Sequence, residues 1–156
     1  MQWPGEERWE IIEGVPHLLA PAPGREHQAI AGELFWQVYS FFHDKECHVF
    51  FAPFDVRLPE GEEEDEEITT VVQPDLVVEV ISLSTAKKDL NEKFNLYERR
   101  GVQEYWVVFP RFQAIEVYHL GTTGKYEKAN TYTVGEMLVS VLFPGLTVDV
   151  ARVFGG

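Results

Sequence analysis

The stretch Val71–Thr85, VVQPDLVVEVISLST, decides the fold, because it is an apolar, β-branched run typical of a strand covered on both faces. The pattern predicts one strand over Val71–Ile81, with a helix beginning soon after it. Two carboxylates, Asp75 and Glu79, lie inside this run with no basic residue between them. Because a charge in an apolar layer is costly unless it is paired or metal-bound, these two acids point to a partner cation.

Side chains alternate along a strand, so Asp75, Val77, Glu79 and Ile81 are expected on one side of the sheet. Two explanations of the acids stay open. In the first, Asp75 lies at the exposed start of the strand and caps a turn, while Glu79 pairs with a lysine or arginine. In the second, the carboxylates hold a divalent metal ion such as Mg²⁺, which prefers oxygen ligands and polarises a phosphodiester.

The segments on either side predict a mixed sheet flanked by helices, in the α/β (α+β) class. Upstream, the sequence predicts two short strands within residues 9–19, a helix over His27–Phe42, and strands before and after Pro53. Downstream it predicts a helix over Ala86–Arg99, a buried strand over Glu104–Phe109 and further short strands. The helical connection between the two central strands is long enough for a parallel crossover.

Composition indicates a globular protein, with 45% hydrophobic and 13% aromatic residues among 156. We expect a single domain over residues 1–156. Cys47 is the only cysteine, which excludes an intramolecular disulfide or a cysteine zinc cluster and fits a reducing cytoplasm. No apolar run has membrane-spanning length, and the first residues lack a signal-peptide pattern, so we expect a cytoplasmic protein without a membrane partner.

The formal net charge of −13 argues against a broad basic surface that follows nucleic-acid phosphates. Much of the excess comes from Glu60–Glu67, EGEEEDEE, which is typical of a solvated loop. This charge leaves room for a local site where metal ions face a phosphate. Taken alone, it would also fit a protein that pairs with a basic partner.

Lys93 is the lysine best placed to serve such a site. It lies three residues after Leu90 and four before Tyr97, at the edge of the apolar stripe of the predicted helix. There it would orient or deprotonate a water, or neutralise developing charge. The alternative is that Lys93 extends to solvent or pairs with Asp89. His27 opens the first predicted helix and, by itself, is more typical of an ordinary helix-end residue.

The segment Pro74–Pro110, PDLVVEVISLSTAKKDLNEKFNLYERRGVQEYWVVFP, resembles the signature of the Uma family of putative restriction endonucleases, within the PD-(D/E)xK nuclease superfamily. Residues 9–34, with His27, and the stretches Ala114–Leu120 and Gly124–Ala129 fit the same family. The resemblance implies a mixed sheet flanked by helices, and Mg²⁺- or Mn²⁺-dependent cleavage of DNA by an endonuclease. A homodimer is left open.

Carried over by position, the resemblance implies that Glu79 is the metal-binding acid and that Lys93 takes the lysine role, since Ile81 stands at the usual lysine place. Asp75, Lys93, Glu79 and His27 are therefore the candidate catalytic residues. The family pattern has two successive strands here, whereas a single Pro74–Asp75 serves both, as if a strand and loop were missing.

This shortening has a geometric consequence for the candidate metal ligands Asp75, Glu79 and Asp55. Asp75 and Glu79 would lie about 13 Å apart along one strand, too far to chelate one ion unless the strand breaks or bulges. Asp55 is the nearest replacement if its strand pairs alongside. The alternative is a catalytically degenerate nuclease fold that acts as a binding or oligomerisation module.

Overall fold

The computed structural model describes residues 9–12, 15–18, 24–52, 56–57, 71–72, 74–82 and 89–155. A four-stranded sheet lies at its centre, in the spatial order β5-β6-β7-β8, formed by β5 (Leu76–Val80), β6 (Glu104–Phe109), β7 (Ala114–Leu120) and β8 (Tyr126–Thr133). β5 runs parallel to β6, and the other two pairings are antiparallel. The predicted mixed sheet and the parallel connection to Glu104–Phe109 are therefore confirmed.

Shorter strand pairs accompany this sheet. β1 (Trp9–Ile12) pairs antiparallel with β2 (Val15–Leu18), as predicted for the first residues, and β3 (Val56–Arg57) pairs parallel with β4 (Val71–Val72). Near the C-terminus, β9 (Met137–Val139) pairs antiparallel with β10 (Thr147–Asp149).

The helices pack on both faces of the central sheet. α1 (Arg25–Phe42) buries Ile30, Leu34, Val38 and Phe42 at the predicted helical spacing, against Val80, Trp106 and Ile115 of the sheet and the C-terminal β9–β10 region. Each such side chain contributes about 1.5–3 kcal/mol when fully buried. α2 (Phe94–Arg99), preceded by a π-helical turn over Asp89–Lys93, packs on the opposite face. A short α3 (Val150–Phe154) follows β10.

The alternation predicted for the central strand is confirmed. Leu76, Val78 and Val80 belong to the apolar cluster on the α1 side, and Val77 and Ile81 to the cluster on the α2 side. Glu79, between Val78 and Val80 in the strand, therefore emerges on the face that α2 covers.

The predicted continuous strand over Val71–Ile81 is wrong. The run divides into β4 and β5, which belong to different sheets, and Pro74 and Asp75 lie at the division. Proline lacks a backbone donor and restricts the residue before it, so the chain changes partner there in spite of its apolar composition.

Two further local predictions need correction. Residues 48–52, expected to form a strand before Pro53, have no strand structure, although the partial burial of Val49 and the exposure of Phe50 resemble one. Within the described part of the predicted Ala86–Arg99 helix, Asp89–Lys93 is π-helical. A π turn shifts the phase of the helix, which accounts for Leu90 being 38% exposed instead of joining the apolar stripe.

Candidate active site

Glu79 lies near the carboxyl end of β5, one residue before the strand ends, and 20% of its side chain is exposed. Its strand is held between β6 and the α1 helix, so the backbone that carries the carboxylate is fixed from two directions. A carboxylate so placed needs compensation for the water that it has lost.

Lys93 and Tyr97 supply that compensation. The Nζ of Lys93 donates to Oε1 of Glu79 at 2.9 Å, and the hydroxyl of Tyr97 donates to the same oxygen at 3.2 Å. Only 16% of the Lys93 side chain is exposed, so this ion pair is more shielded from water than a surface pair. Two donors thus converge on one carboxylate oxygen.

The turn and helix that carry these donors are anchored by Phe94. Its ring contacts three tyrosine rings of the sheet, Tyr105, Tyr118 and Tyr126, with centroids 5.9, 5.0 and 5.1 Å away. Edge-to-face aromatic pairs of this kind contribute about 0.5–1.5 kcal/mol each beyond area burial. With Phe94 fixed, Lys93 and Tyr97 are held on the Glu79 side of the sheet.

A second, partly buried contact fixes the end of α2. Glu98, whose side chain is 9% exposed, accepts from the Lys125 ammonium at 2.7 Å and from the Tyr126 backbone N–H at 2.8 Å. These two hydrogen bonds hold the pKa of Glu98 below its usual value of 4.5, against the opposing effect of burial. Glu98 therefore ties α2 to the start of β8.

His27 connects the first turn of α1 to the site. Its Nε2 lies 3.0 Å from the carbonyl oxygen of Val80, the residue that follows Glu79. A carbonyl only accepts, so Nε2 carries the proton in this contact. Nδ1 is buried and has no hydrogen-bond partner within the described parts of the chain. His27 thus lies beside the candidate site and contacts its backbone, not the Glu79 carboxylate.

The structure does not bring Asp75 into this group. Asp75 is an exposed residue at the bend before β5, and its carbonyl accepts from the Glu104 N–H at 2.9 Å. Asp55, the other candidate ligand, and the acidic run Glu60–Glu67 lie outside the described residues. Among the residues described, no group of three or more His, Cys, Asp or Glu side chains is placed to hold a metal ion.

The Uma2 family, described as "Putative restriction endonuclease", matches residues 1–151. The chain belongs to the Uma2 family. This confirms the resemblance seen in Pro74–Pro110. No curated protein matches the sequence. Uma2 membership gives the chain a place among nuclease-like proteins.

A crystal structure of a "putative nuclease belonging to DUF820" from Anabaena variabilis is similar to this Uma2 protein, with a TM-score of 0.72 and 20% sequence identity. The match covers 94% of this chain and 89% of the other. At this identity the likeness shows the fold alone, and it supports the predicted mixed sheet flanked by helices. No described helix is both long enough and apolar enough to span a membrane.

Two buried acids, Glu98 and Glu104, were missed from the sequence, and so was the hydrogen bond from Tyr97 to Glu79. Tyr97 packs against the apolar cluster on the α2 side, as its place in the predicted stripe implies, and its hydroxyl also reaches Glu79. Glu98 and Glu104 gave no signal, because helix-surface and strand-end glutamates are common. Both are buried, and Glu104 is 0% exposed.

Proposed function

We propose that this Uma2 protein is a metal-dependent endonuclease that hydrolyses phosphodiester bonds in DNA. The observation that carries the proposal is the 2.9 Å contact between the Lys93 ammonium and the Glu79 carboxylate, at the end of a central strand. These are the acid and the displaced lysine that the family resemblance assigns to the reaction. Their residue types suit that chemistry, since a carboxylate binds hard cations and an ammonium stabilises negative charge on phosphate oxygens.

A glutamate that accepts from a lysine and a tyrosine also occurs elsewhere on the sheet. Glu116 on β7 accepts from the ammonium of Lys128 at 2.6 Å and from the hydroxyl of Tyr118, in a similar arrangement. The Lys128 side chain is 45% exposed, however, and this trio lies outside the Pro74–Pro110 segment that carries the signature. The trio provides a control for experiments, since it has the same three residue types on the same sheet and no proposed role.

One contact supports Glu79 as a cation ligand: its Oε1 already accepts from a positively charged group, the Lys93 ammonium, at 2.9 Å. Mg²⁺ is usually bound by one or two carboxylates together with water and substrate phosphates, so a complete protein cage is not required. Asp55 would be the second carboxylate, or Asp75 if the bend before β5 brought it toward Glu79. When bound, the ion would polarise the phosphate and lower the pKa of an attacking water.

In this proposal the protein's own groups have separate tasks. Glu79 holds the ion, and Lys93 places its ammonium beside the reacting phosphate, where it orients the attacking water or neutralises developing charge. His27 orients the end of β5 through the Val80 carbonyl. The ion also offsets the repulsion expected between DNA and a chain of net charge −13. We place this chemistry in the cytoplasm, with a homodimer as one form of the enzyme.

Cleavage of supercoiled plasmid DNA with Mg²⁺ or Mn²⁺ tests the proposal. We expect nicking by the wild-type protein, loss of nicking in Glu79→Gln, and retention in Glu116→Gln, which makes the same change in the control trio. Equal nicking by the wild type and Glu79→Gln would refute the assignment of Glu79.

The surroundings of Ile81 and Asp75 favour a second function. In this alternative the chain is a degenerate nuclease fold that acts as a binding or oligomerisation module. Ile81, at the usual lysine place, is 8% exposed within an apolar cluster, and Asp75 is exposed away from it. Under this alternative, Glu79 and Lys93 are a structural ion pair. Calorimetry distinguishes the two: Mg²⁺ or Mn²⁺ binding that Glu79→Gln abolishes counts against the module.

A further inference from the structure

Lys93 and Tyr97 donate to the same oxygen of Glu79 but differ in charge. The ammonium of Lys93 is 2.9 Å from Oε1 and the neutral hydroxyl of Tyr97 is 3.2 Å from it. Lys93 therefore neutralises the carboxylate, whereas Tyr97 only orients it. Lys93 thus already supplies, at this carboxylate, the positive charge that a divalent cation would bring.

An ammonium and a divalent cation repel each other when both contact one carboxylate, and a partly buried site screens that repulsion less than bulk water does. The side chains of Lys93 and Glu79 are 16% and 20% exposed, so the repulsion acts where screening is weak. The two cations are thus competitors for Glu79. A lysine side chain has a flexible four-carbon stem and can move its charge away while its backbone stays in place.

We propose that the Lys93 ammonium neutralises Glu79 in the metal-free protein and is displaced from it when a divalent ion binds. The displaced ammonium then becomes available to the substrate phosphate. Tyr97 keeps its hydrogen bond to Oε1, so the carboxylate retains its orientation while its cationic partner is exchanged. The inference rests on the proposed function, in which Glu79 binds the ion. It adds an order of events: Lys93 is held away from the substrate until the metal is present.

Calorimetric titration of the metal-free protein with Mn²⁺ tests the exchange without relying on cleavage. Lys93→Met removes the competing charge and keeps the length of the side chain, so we expect Mn²⁺ to bind about tenfold more tightly than to the wild type. Lys93→Arg keeps the charge and should retain roughly wild-type affinity. Lys128→Met, which removes the corresponding lysine from the Glu116 pair, should leave Mn²⁺ affinity unchanged.

The outcomes separate this inference from the proposed function. If Glu79→Gln binds Mn²⁺ as the wild type does, Glu79 is not a ligand, and both ideas fail. If Glu79→Gln weakens binding while Lys93→Met binds no more tightly than the wild type, the metal site stands and the exchange is overturned.

Lysine labelling in the wild-type protein gives a second test that needs no folded variant. An amine-acetylating reagent, followed by mass spectrometry, should label Lys93 severalfold faster when Mg²⁺ saturates the site. Lys128, held by Glu116, is the internal control and should label at the same rate with or without Mg²⁺. A Lys93 rate that Mg²⁺ leaves unchanged or lowers contradicts the exchange.

Discussion

Glu104 offers the sharpest stability prediction, because it is a fully buried carboxylate that four donors surround. One oxygen, Oε1, accepts from the Trp106 indole at 2.7 Å and from the Val141 N–H at 3.2 Å. The other, Oε2, accepts from the Ser140 hydroxyl and from the Leu142 N–H, both at 2.7 Å. Glu104 thereby joins the start of β6 to the loop that follows β9.

The substitution Glu104→Gln preserves the size of the side chain but replaces one accepting oxygen with an NH₂ group. Whichever oxygen is replaced, at least one backbone N–H, of Val141 or Leu142, then faces another donor at this fully buried side chain. Leaving a buried donor unsatisfied costs about 1–3 kcal/mol, and hydrogen bonds to a charged acceptor contribute more than neutral ones. We therefore expect a loss of about 2–4 kcal/mol in the free energy of unfolding, out of about 5–15 kcal/mol for a typical domain.

Urea denaturation followed by circular dichroism measures this loss. With an m-value of about 2 kcal/mol per molar urea, the midpoint should fall by about 1–2 M. Glu127→Gln is the matched control, since its side chain is 58% exposed and the change should stay within about 0.5 kcal/mol. A midpoint for Glu104→Gln that matches the control would refute the interpretation of Glu104 as a buried anchor.

Three further predictions concern contacts around the sheet. The pKa of Glu98 is lowered in the folded state, so the ionised side chain stabilises the fold above pH 4.5 and this stabilisation is lost as the pH falls through the folded-state pKa. The difference in the free energy of unfolding between wild type and Glu98→Gln should therefore shrink below pH 4.5, as measured by unfolding at a series of acid pH values. A gap that is constant with pH would contradict the contact with Lys125. Gly124 has φ of +72° in the turn before β8, so Gly124→Ala should cost about 1 kcal/mol and lower Tm by about 2–4 °C. Gln37 bridges both backbone groups of Asp149 at 2.7 and 3.2 Å, and Gln37→Ala should cost about 1–2 kcal/mol in urea unfolding; an unchanged midpoint would exclude that bridge.

The elements that the sequence predicts well are those in which local pattern and tertiary packing agree. α1 buries its residues at the spacing read from the sequence, and Glu104–Phe109 is a central strand with five of its positions buried. The alternation of Val77, Glu79 and Ile81 against their neighbours also follows from strand geometry alone.

The predictions that failed depended on information that is not local. The run from Val71 is apolar throughout, yet Pro74 divides it between two sheets, and periodicity cannot detect a change of pairing partner. The phase of the second helix was misjudged at Leu90, because nothing in the composition signals the π turn.

The candidate site was predictable only in part, because some of its contacts also depend on non-local information. An acid in an apolar strand is conspicuous, so Glu79 was found, and Lys93 followed from its place at the edge of a helical stripe. Lys93 was expected either to serve the site or to extend to solvent or pair with Asp89. The structure pairs it with Glu79, as in the explanation that gave Glu79 a lysine or arginine partner. Such a long-range pairing depends on where α2 packs, which no spacing rule in the sequence encodes. The roles of Asp75, Asp55 and His27 stay predictions.

We propose that the pair formed by Glu79 and Lys93 performs metal-dependent chemistry, unlike the similar pair formed by Glu116 and Lys128. The most direct measurement is the rate of plasmid nicking with Mg²⁺ for Glu79→Gln and Lys93→Met beside Glu116→Gln and Lys128→Met, with all four variants shown to be folded. We expect Glu79→Gln and Lys93→Met to lose at least about 100-fold in nicking rate, and Glu116→Gln and Lys128→Met to stay near the wild-type rate. Equal rates in the two pairs, or nicking that persists in EDTA, would contradict it.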